Sequence, residues 1–474
     1  MTAPNILFIL VDDLGARDLS CFGSTFYETP HIDRLARESL RCERAYAACA
    51  VCSPTRAALL TGRSPARIGC TQFIPDAADT ASRDGRLRDA PFLHHLPHDG
   101  PTLPTSLRAA GYQTWHVGKW HLGDEAFHPE THGFDVNLGG CHWGFPMQGY
   151  QAPWGIPTLP DAADGTWLDE HLTEEAIRLM RERDPDRPFF LNLWYYLVHS
   201  PYQAPEHLIA HYRRKAERLG LDPQASLQVD GEHGMLRKRG KAITKRRWQC
   251  EPLYAAMIAL LDDCVGRILH ALDELGLREE TLVVFTSDNG GDACGNWPPT
   301  SNSPLREGKG WGEEGGVRVP QLLRWPGRIA PGSSHQPTIS MDFHPSLLHA
   351  AGLPLQPEQH ADGVDMLPHW CTGNPVQREP LFWHYPHYSN QGGRPHAAAL
   401  DPEGRWKLIR FFEDERLELY DLDTDPSECV DRSAEQPAIR DGLLAALQAW
   451  QASVEALQPA PNPDWPQTPN NACD

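Results

Sequence analysis

The sequence has few of the features that mark a membrane protein or a nucleic-acid-binding protein. It contains no apolar run of about 18 residues, the length that a helix needs to cross a bilayer. Its formal net charge is −20, because 43 Lys and Arg residues face 63 Asp and Glu residues. An acidic surface is repelled by nucleic acids and by anionic lipid, so we expect neither a nucleic acid nor a membrane as a partner.

The cysteines are not grouped as in a disulfide framework or a zinc module. The 12 cysteines are scattered along the chain, without paired CxxC motifs or other zinc-ligand spacing. The N-terminal stretch MTAPNILFILVDD has no basic segment and places two acids directly after its apolar run. It therefore predicts a strand and not a signal peptide. We expect a cytoplasmic protein; a periplasmic or secreted one would require that a leader had been removed.

Apolar runs alternate with amphipathic segments over most of the chain. Helices are predicted at 29–40, which begins after a threonine and a proline, and at 254–277, which carries one apolar stripe. Runs rich in β-branched and aromatic residues predict buried strands at 5–11, 112–117, 189–198 and 281–287. This alternation favours an α/β fold with a doubly wound, mostly parallel sheet.

The pattern changes after about residue 375. The segment 404–423 alternates apolar and polar residues and turns at EDER, which predicts an antiparallel hairpin. An amphipathic helix is predicted at 438–457. We therefore expect a large α/β domain at 1–375 and a smaller C-terminal α+β subdomain at 376–474, with antiparallel strands and a packed helix.

Oxygen-bearing side chains follow the first and the last of the four predicted strands. Asp12 and Asp13 follow the first strand, and Asp288 and Asn289 follow the last. Ligands of open α/β sheets bind outside the carboxyl ends of the strands, so we expect these four side chains to lie together. Three carboxylates and an amide oxygen suit a hard divalent cation, Ca²⁺ or alternatively Mg²⁺, better than they suit Zn²⁺.

Basic side chains follow the other two strands. Lys119 and His121 come after the strand at 112–117, and His199 comes after the strand at 189–198. Any one of these residues alone is more often a turn or packing residue. Together with the acids they predict a basic cluster beside a metal site.

The segment AVCSPTRAALLTGR, residues 50–63, places a thiol at the start of a helix-favouring run. Pro54 and the helix formers that follow it predict that Cys52 lies at a helix N-terminus. Unpaired N–H groups and the helix dipole favour an anion at that position.

Five motifs in series resemble those of the sulfatase family of the alkaline-phosphatase-like superfamily. They are LVDDLG near the start, CSPTR followed by AALLTGR, GKWHLG at 118–123, SDNGG at 287–291, and the lysine of REGKGWGEEGGVRVP at 306–320. The resemblance extends from residue 5 to about residue 320, and the CxPxR frame is intact, although Thr55 stands where the family more often has serine. It implies the alkaline-phosphatase-like fold and the hydrolysis of sulfate monoesters, on a carbohydrate or aryl substrate.

The resemblance also implies how the nucleophile is made. In this family the cysteine of the motif is oxidised to formylglycine by a maturation enzyme, and the hydrated aldehyde attacks the sulfate sulfur. Cys52 would then be a precursor of the nucleophile. The residues that would hold the cation are Asp12, Asp13, Asp288, Asn289 and, after conversion, residue 52.

The remaining roles follow from the same resemblance. Arg56 would orient the hydrated aldehyde, while Lys119 and Lys309 would neutralise charge on the sulfate oxygens. His199, with Lys309, would protonate the departing alcohol. His121 would take a proton from the second hydroxyl of the hydrate, so that sulfate leaves and the aldehyde is regenerated.

Three other functions share part of this pattern. A phosphonate or phosphate ester hydrolase of the same superfamily would share the CxPxR frame and the acid cluster, and it stays an alternative. A two-metal phosphatase would need further metal ligands where this chain has Lys119 and His121. A non-catalytic glycan-binding relative would be expected to lack one or more of Cys52, Arg56, His121 and His199, and all four are present.

Loops rich in Trp, His, Asn and Arg are the predicted substrate-recognition elements, because such side chains stack on sugars and hydrogen-bond them. Packing of the same loops against the core is equally compatible with their composition. The segment 383–396 is the best placed, since it lies at the start of the C-terminal subdomain. The predicted binding residues are His142, Arg306, His384, His387, Asn390 and Arg394. The expected partner is a sulfated small molecule or saccharide.

Overall fold

The computed structural model describes residues 3–75, 84–235, 238 and 240–466. In chain order the strands are β1 Asn5–Val11, β2 Leu40–Cys42, β3 Ala45–Tyr46, β4 Leu87–Arg88, β5 Gln113–Gly118, β6 Val136–Leu138, β7 Phe189–Trp194, β8 Leu227–Glu232, β9 Ala242–Arg246, β10 Thr281–Ser287, β11 Cys294–Gly295, β12 Gln321–Arg324, β13 Gly332–Ser334, β14 Thr338–Ile339, β15 Leu381–Tyr385, β16 His396–Leu400, β17 Trp406–Phe411, β18 Leu417–Asp421 and β19 Ala460–Pro461. The α-helices are α1 Pro30–Arg37, α2 Cys52–Thr61, α3 Pro65–Ile68, α4 Leu103–Ala109, α5 Leu168–Glu182, α6 Glu206–Arg218, α7 Pro252–Glu274, α8 Glu314–Val317, α9 Phe343–Ala350, α10 Leu367–Thr372 and α11 Pro437–Ser453.

An eight-stranded sheet forms the centre of the molecule, in the order β13-β2-β12-β10-β1-β7-β5-β6. The five strands from β10 to β6 run parallel to one another. Strand β12 is antiparallel to both β10 and β2. The mostly parallel sheet expected from the sequence is therefore confirmed, with antiparallel pairing confined to one side.

Helices cover both faces of this sheet. Successive side chains of a strand point to opposite faces, and β1 shows the consequence because all seven of its residues are buried. Leu7 and Ile9 pack into a core shared with Leu172 of α5 and Leu261 of α7. Ile6, Phe8 and Leu10 face the other way, into a core formed with α2, α4 and α9. This is the doubly wound arrangement.

A second, four-stranded antiparallel sheet follows in the chain, with β15, β16, β17 and β18 paired in sequence order. Ala399 and Leu408 on one of its faces pack against Leu443 and Leu447 of α11. The opposite face packs against the large domain, where the indole N–H of Trp383 donates to the carbonyl of Ala47 at 2.8 Å. The antiparallel strands and the packed helix agree with the expectation. The boundary at residue 375 stays a prediction, and 467–474 lie outside the described residues.

The strand predicted at 189–198 is shorter than its apolar run. Strand β7 ends at Trp194, and the next four residues form a buried loop in which Tyr195 and Val198 donate backbone hydrogen bonds to Leu10 and Asp12. Apolar composition predicts burial but cannot separate a buried strand from a buried loop.

Within the ranges that the structure describes, no helix is both long enough and apolar enough to span a membrane.

Candidate active site

The parallel pairing of β1 and β10 brings their acidic ends together. Val11 is aligned with Ser287, so the residues that follow the two strands are neighbours. The backbone N–H of Asp13 donates to Oδ1 of Asp288 at 3.2 Å, and the N–H of Leu14 donates to the Ser287 hydroxyl at 3.1 Å. Asp13 adopts a left-handed backbone conformation, with φ of 60°, which turns the chain sharply at this point.

Two oxygen atoms of this cluster accept no hydrogen bond from the residues that the structure describes. They are Oδ1 of Asn289 and Oδ1 of Asp12, both buried; the latter lies 3.7 Å from Nη2 of Arg56. A buried oxygen left unpaired costs about 1–3 kcal/mol, and more when it is charged. Carboxylate oxygens of Asp12 and Asp288 and the thiol of Cys52 lie within 4.8 Å of one another. These donors fit a hard divalent cation such as Ca²⁺ or Mg²⁺.

Helix α2 begins at Cys52, as the sequence predicts. Val51 precedes it in an extended conformation and its side chain makes no capping hydrogen bond, and the N–H groups of a first helical turn favour an anion. Cys52 is only 2% exposed. Its Sγ lies 3.3 Å from Nδ1 of His121, which places a base next to the residue expected to become the nucleophile.

Arg56 is fully buried and holds the acid cluster together. Its Nε and Nη2 donate to Oδ2 of Asp288 at 2.9 and 2.7 Å, and Nη1 donates to the carbonyl of Lys119 at 3.1 Å. The guanidinium lies over the Trp194 ring, 5.1 Å from its centroid. Arg56 therefore positions Asp288 and the Lys119 backbone, in addition to the orienting role that the resemblance implies.

The two lysines pair with different aspartates. Nζ of Lys119 donates to Oδ2 of Asp12 at 2.6 Å, and Nζ of Lys309 lies 2.7 Å from Oδ1 of Asp13. Burial opposes charge on Lys309, but the Asp13 carboxylate more than compensates, and the pKa of Lys309 is raised. Burial would raise the pKa of Asp13, but Lys309 and His199 hold it well below its usual range.

His199 completes the basic side of the cluster. Its Nε2 lies 3.6 Å from Oδ2 of Asp13. Burial and the positive charge of Lys309 lower the pKa of His199 to about 3, so its imidazole is neutral at physiological pH in the free site. A sulfate ester bound beside it adds negative charge, which favours the protonated form.

The loop that carries the predicted substrate-binding residue His142 packs against the cluster. It follows β6, and its Gly144 passes so close to the His121 ring that a Cβ at that glycine would lie 2.7 Å from Cε1. Only a glycine allows this approach. His142 itself is partly buried, and its ring packs against that of Trp143.

Arg306 and His384 instead form contacts that stabilise the fold. Arg306 donates to the hydroxyl of Tyr420 at 2.8 Å and to the carbonyl of Glu428 at 3.0 Å, which ties the C-terminal sheet to the large domain. His384 is 4% exposed, and its two ring nitrogens bond the Leu457 carbonyl and the Gln451 amide. No ring nitrogen of His384 is left for a saccharide hydroxyl.

The rest of the segment 383–396 is also held by protein partners. His387 is fully buried, and its Nε2 lies 2.8 Å from the Thr71 hydroxyl. The carbonyl of Asn390 accepts a hydrogen bond from Lys238 at 2.7 Å. Arg394 pairs with Glu413 at 2.7 Å. The buried rings of His384 and His387 therefore fit the packing alternative, whereas substrate binding by Asn390 and Arg394, both exposed, stays a prediction.

A second group of side chains, which was not predicted from the sequence, lies beside the cluster. Asp292 follows Asn289 by three residues, and its Oδ2 accepts a hydrogen bond from the Tyr202 hydroxyl at 3.2 Å. Burial raises the pKa of Asp292 to about 7. The ring of Trp297 lies 5.6 Å from that of Tyr202. An acid in the glycine-rich loop directly after a metal-binding strand end was the available signal.

Comparison with known proteins places this geometry in one family. The family model Sulfatase matches residues 4–353, and the model for the C-terminal region of N-sulphoglucosamine sulphohydrolase matches residues 308–451. Arylsulfatase A of Homo sapiens is 33% identical over 471 residues, which cover 90% of this chain and 82% of that protein. N-acetylgalactosamine-6-sulfatase of Canis lupus familiaris is 34% identical over 405 residues, covering 80% and 68% respectively.

A solved structure agrees in the overall fold. The crystal structure of Ps i-CgsB in complex with k-i-k-neocarrahexaose superposes with a TM-score of 0.75 at 27% identity, covering 98% of this chain and 94% of that one. The range matched by the Sulfatase family model, residues 4–353, includes every residue of the acid and basic clusters described above. The chain therefore belongs to the sulfatase family and is a sulfuric ester hydrolase.

Proposed function

We propose that this chain hydrolyses sulfate monoesters of saccharides, using a formylglycine formed from Cys52 and a divalent cation. The observation that carries the proposal is the meeting of Cys52 with carboxylate oxygens of Asp12 and Asp288 within 4.8 Å. A helix N-terminus, unpaired buried oxygens and two lysines surround that point. The saccharide class is supported by relatives whose names include N-acetylgalactosamine-6-sulfatase and by the neocarrahexaose complex.

The residues that would hold the cation are Asp12, Asp13, Asp288 and Asn289. Bound there, a divalent cation would polarise a sulfate oxygen and lower the pKa of a hydroxyl group near it. Ca²⁺ suits four oxygen donors of mixed charge, and Mg²⁺ is the alternative. Arg56 keeps Asp288 in place for this role through its two hydrogen bonds.

The formylglycine explains why a cysteine occupies position 52. A hydrated aldehyde supplies two hydroxyl groups on one carbon, one to attack sulfur and one whose deprotonation lets the sulfate leave. A serine at this position would offer only the first. Conversion requires a formylglycine-generating maturation enzyme as a partner of this chain.

The sulfate group is held by positive charge on two sides. Lys119 and Lys309 each present an ammonium group that is buried against an aspartate. The N–H groups at the start of α2 supply a third source of positive potential. Because these groups are fixed before substrate binds, they stabilise negative charge that develops on the sulfate oxygens without reorganising.

Two histidines are placed to move protons. His121, 3.3 Å from Sγ of Cys52, is positioned to accept a proton from residue 52. His199, next to Asp13 and Lys309, is positioned to give a proton to the departing alcohol oxygen. A proton acceptor such as His121 must start deprotonated, and a proton donor such as His199 must start protonated. The two rings have different neighbours, which can favour these different states.

The test is a comparison of kcat/KM for matched aryl sulfate, phosphate and phosphonate esters, with a panel of sulfated monosaccharides beside them. We expect the sulfate ester to be preferred. A sulfate monoester carries one negative charge, and a phosphate monoester dianion carries two. A phosphonate monoester or a phosphate diester carries one negative charge, as the sulfate monoester does. A tenfold preference for the phosphonate, about 1.4 kcal/mol of transition-state binding, would favour the phosphonate hydrolase alternative.

A further inference from the structure

A carboxylate of the active-site region has no role in the reaction proposed above. Asp292 is partly buried, and its Oδ1 is enclosed but has no hydrogen-bond partner among the described residues. Its other oxygen, Oδ2, accepts from the Tyr202 hydroxyl at 3.2 Å, which fixes the direction of the carboxyl group. In its ionised form the carboxylate only accepts hydrogen bonds, so the partner that suits Oδ1 is a donor.

Asp292 lies directly beside the sulfate-binding groups. The backbone N–H of Lys309 donates to the carbonyl of Gly291, the residue before Asp292, at 3.0 Å. The charges of Asp13 and Lys309 are both close enough to act on the Asp292 carboxyl group. The Asp292 carboxyl group therefore lies close to Lys309, one of the groups that would hold the ester.

Exposed aromatic rings lie around the same place. Trp297 is 44% exposed, and its ring lies 5.6 Å from that of Tyr202, the residue that holds Asp292. Phe145 is 36% exposed and lies parallel to the His199 ring, with centroids 6.0 Å apart. Large apolar side chains exposed at the edge of a polar site are typical of ligand-binding surfaces.

We infer that Asp292 and Trp297 form the subsite for the alcohol half of the substrate, where Oδ1 of Asp292 accepts a hydrogen bond from a sugar hydroxyl group next to the sulfated carbon. The apolar face of the same sugar ring packs on Trp297. This inference rests on the proposed function and names its substrate class: a sulfated pyranose with a free hydroxyl group beside the ester. An aryl or simple alkyl sulfate has no such group.

The chemistry of the subsite separates its ligands. A sugar whose hydroxyl group donates to the unpaired carboxylate oxygen binds more tightly. A sugar without that hydroxyl group binds less tightly, because the buried oxygen then stays unsatisfied. The same charge repels a second sulfate group on the neighbouring carbon. We therefore expect discrimination against sugars that lack the neighbouring hydroxyl group and against sugars that carry a sulfate there.

The test uses the full-length enzyme with residue 52 converted and two substitutions, Asp292→Asn and Trp297→Ala. Asparagine keeps the shape of the side chain and an oxygen for the Tyr202 hydroxyl but removes the charge. The matched controls are Asp423→Asn and Leu355→Ala, which change an exposed acid and an equally exposed apolar side chain outside this subsite. The substrates are 4-nitrophenyl sulfate, a panel of sulfated monosaccharides, and deoxy analogues of the best sugar.

We expect Asp292→Asn to lower kcat/KM on the best sulfated sugar by roughly 10- to 100-fold, the value of a hydrogen bond to a charged group. The loss on 4-nitrophenyl sulfate should be much smaller, because that substrate has no hydroxyl group for Oδ1 to accept from; any loss caused by the change of charge beside Lys309 should be the same on both substrates. The deoxy analogue that lacks the contacted hydroxyl group should be a poor substrate for the wild type. On this analogue, Asp292→Asn should have nearly the same kcat/KM as the wild type. Trp297→Ala should also act mainly on the sugar.

Equal losses on both substrates, or no loss on either, would overturn the subsite. So would a wild-type enzyme that turns over 4-nitrophenyl sulfate but none of the sulfated sugars; the saccharide part of the proposed function would then fail too, while sulfate ester hydrolysis itself would stand. A wild-type enzyme that hydrolyses no sulfate ester of the panel would refute the proposed function, and the inference would fall with it. The wild-type measurement thus distinguishes the two failures.

Discussion

Nε2 of His121 lies 2.5 Å from the carbonyl oxygen of Ile74, while Nδ1 of the same ring lies 3.3 Å from Sγ of Cys52. A carbonyl oxygen only accepts, so Nε2 must carry the proton. The neutral ring then has an unprotonated Nδ1 directed at residue 52. The left-handed backbone of His121, with φ of 60°, supports this orientation. The loop at Ile74 thus sets the tautomer that a proton acceptor needs.

We expect His121→Ala, in protein with residue 52 converted, to reduce kcat by about 100- to 10,000-fold, the usual contribution of a positioned base. Because the ring acts on the release of sulfate, the first equivalent of alcohol should still appear quickly. The measurement is rapid-quench detection of alcohol and sulfate, in which a burst of alcohol should precede sulfate. His335→Ala, at an exposed position, is the control. Undiminished steady-state turnover would show that His121 is not the acceptor.

The strands that carry the site could be predicted from the sequence. The runs at 5–11 and 281–287 coincide with β1 and β10, because strands of a parallel sheet are buried on both faces and read as continuous apolar segments. The position of Asp12 and Asp288 at the ends of neighbouring strands followed from topology alone. Cys52 at a helix start followed from local residue preferences.

The substrate-binding residues could not be predicted in the same way. His384 and His387 have the composition of a sugar-binding loop, but their ring nitrogens contact residues distant in the chain, Gln451 and Thr71. Only the tertiary structure shows that these polar groups are already paired. Conversely, the position of Asp292 in the glycine-rich loop after β10 is visible in the sequence, but the lack of a hydrogen-bond partner for its Oδ1 among the described residues is not.

The unpaired oxygens of Asp12 and Asn289 predict that a divalent cation stabilises the fold as well as the reaction. Chelation should abolish activity and lower the Tm, and Ca²⁺ or Mg²⁺ should restore both. At a free cation concentration 100 times the Kd, the stabilisation is about 2.7 kcal/mol. Differential scanning calorimetry with and without the cation measures the shift.

Asp288→Asn should remove most of this dependence on the cation, since it takes away a charged ligand. The variant also loses its ion pair with Arg56, which lowers the Tm both with and without the cation. That loss therefore leaves the difference between the two Tm values, which reports cation binding, unchanged. Asp423→Asn should behave as the wild type. A cation-induced shift of the Tm that is the same in Asp288→Asn and in the wild type would exclude this cluster as the binding site.

The burial of Cys52 predicts when it can be converted. The residue is 2% exposed and already part of α2 in the folded chain. A maturation enzyme should therefore convert the unfolded chain or a peptide spanning residues 50–63, and not the folded thiol form. Peptide mass analysis should show loss of the thiol at Cys52 alone, with Cys49 and Cys264 unchanged. Conversion of the folded protein as fast as the peptide would contradict this.

The last prediction concerns the loop that carries His199. Asp169 is 1% exposed, and its Oδ1 accepts backbone hydrogen bonds from Tyr196 and Leu197 at 3.0 and 3.2 Å. Burial raises the pKa of Asp169 from 3.8 to about 7, against the effect of these two hydrogen bonds. The folded state therefore binds a proton that the unfolded chain has already released above about pH 4. The stability that this proton supplies is present at low pH and is lost as the pH rises through 7.

Asp169→Asn removes this titration while keeping an oxygen for the two backbone N–H groups. Between pH 5 and pH 8 we expect the free energy of unfolding of the wild type to fall, relative to that of the variant, by about 2–3 kcal/mol, from 1.36 kcal/mol for each unit of pKa difference. Urea unfolding of both proteins at the two pH values measures the difference. Other buried acids titrate in both proteins, so their contributions cancel. Parallel pH dependence of the two unfolding free energies would mean that Asp169 stays ionised in the fold, and that the loop before His199 is held by a charged carboxylate.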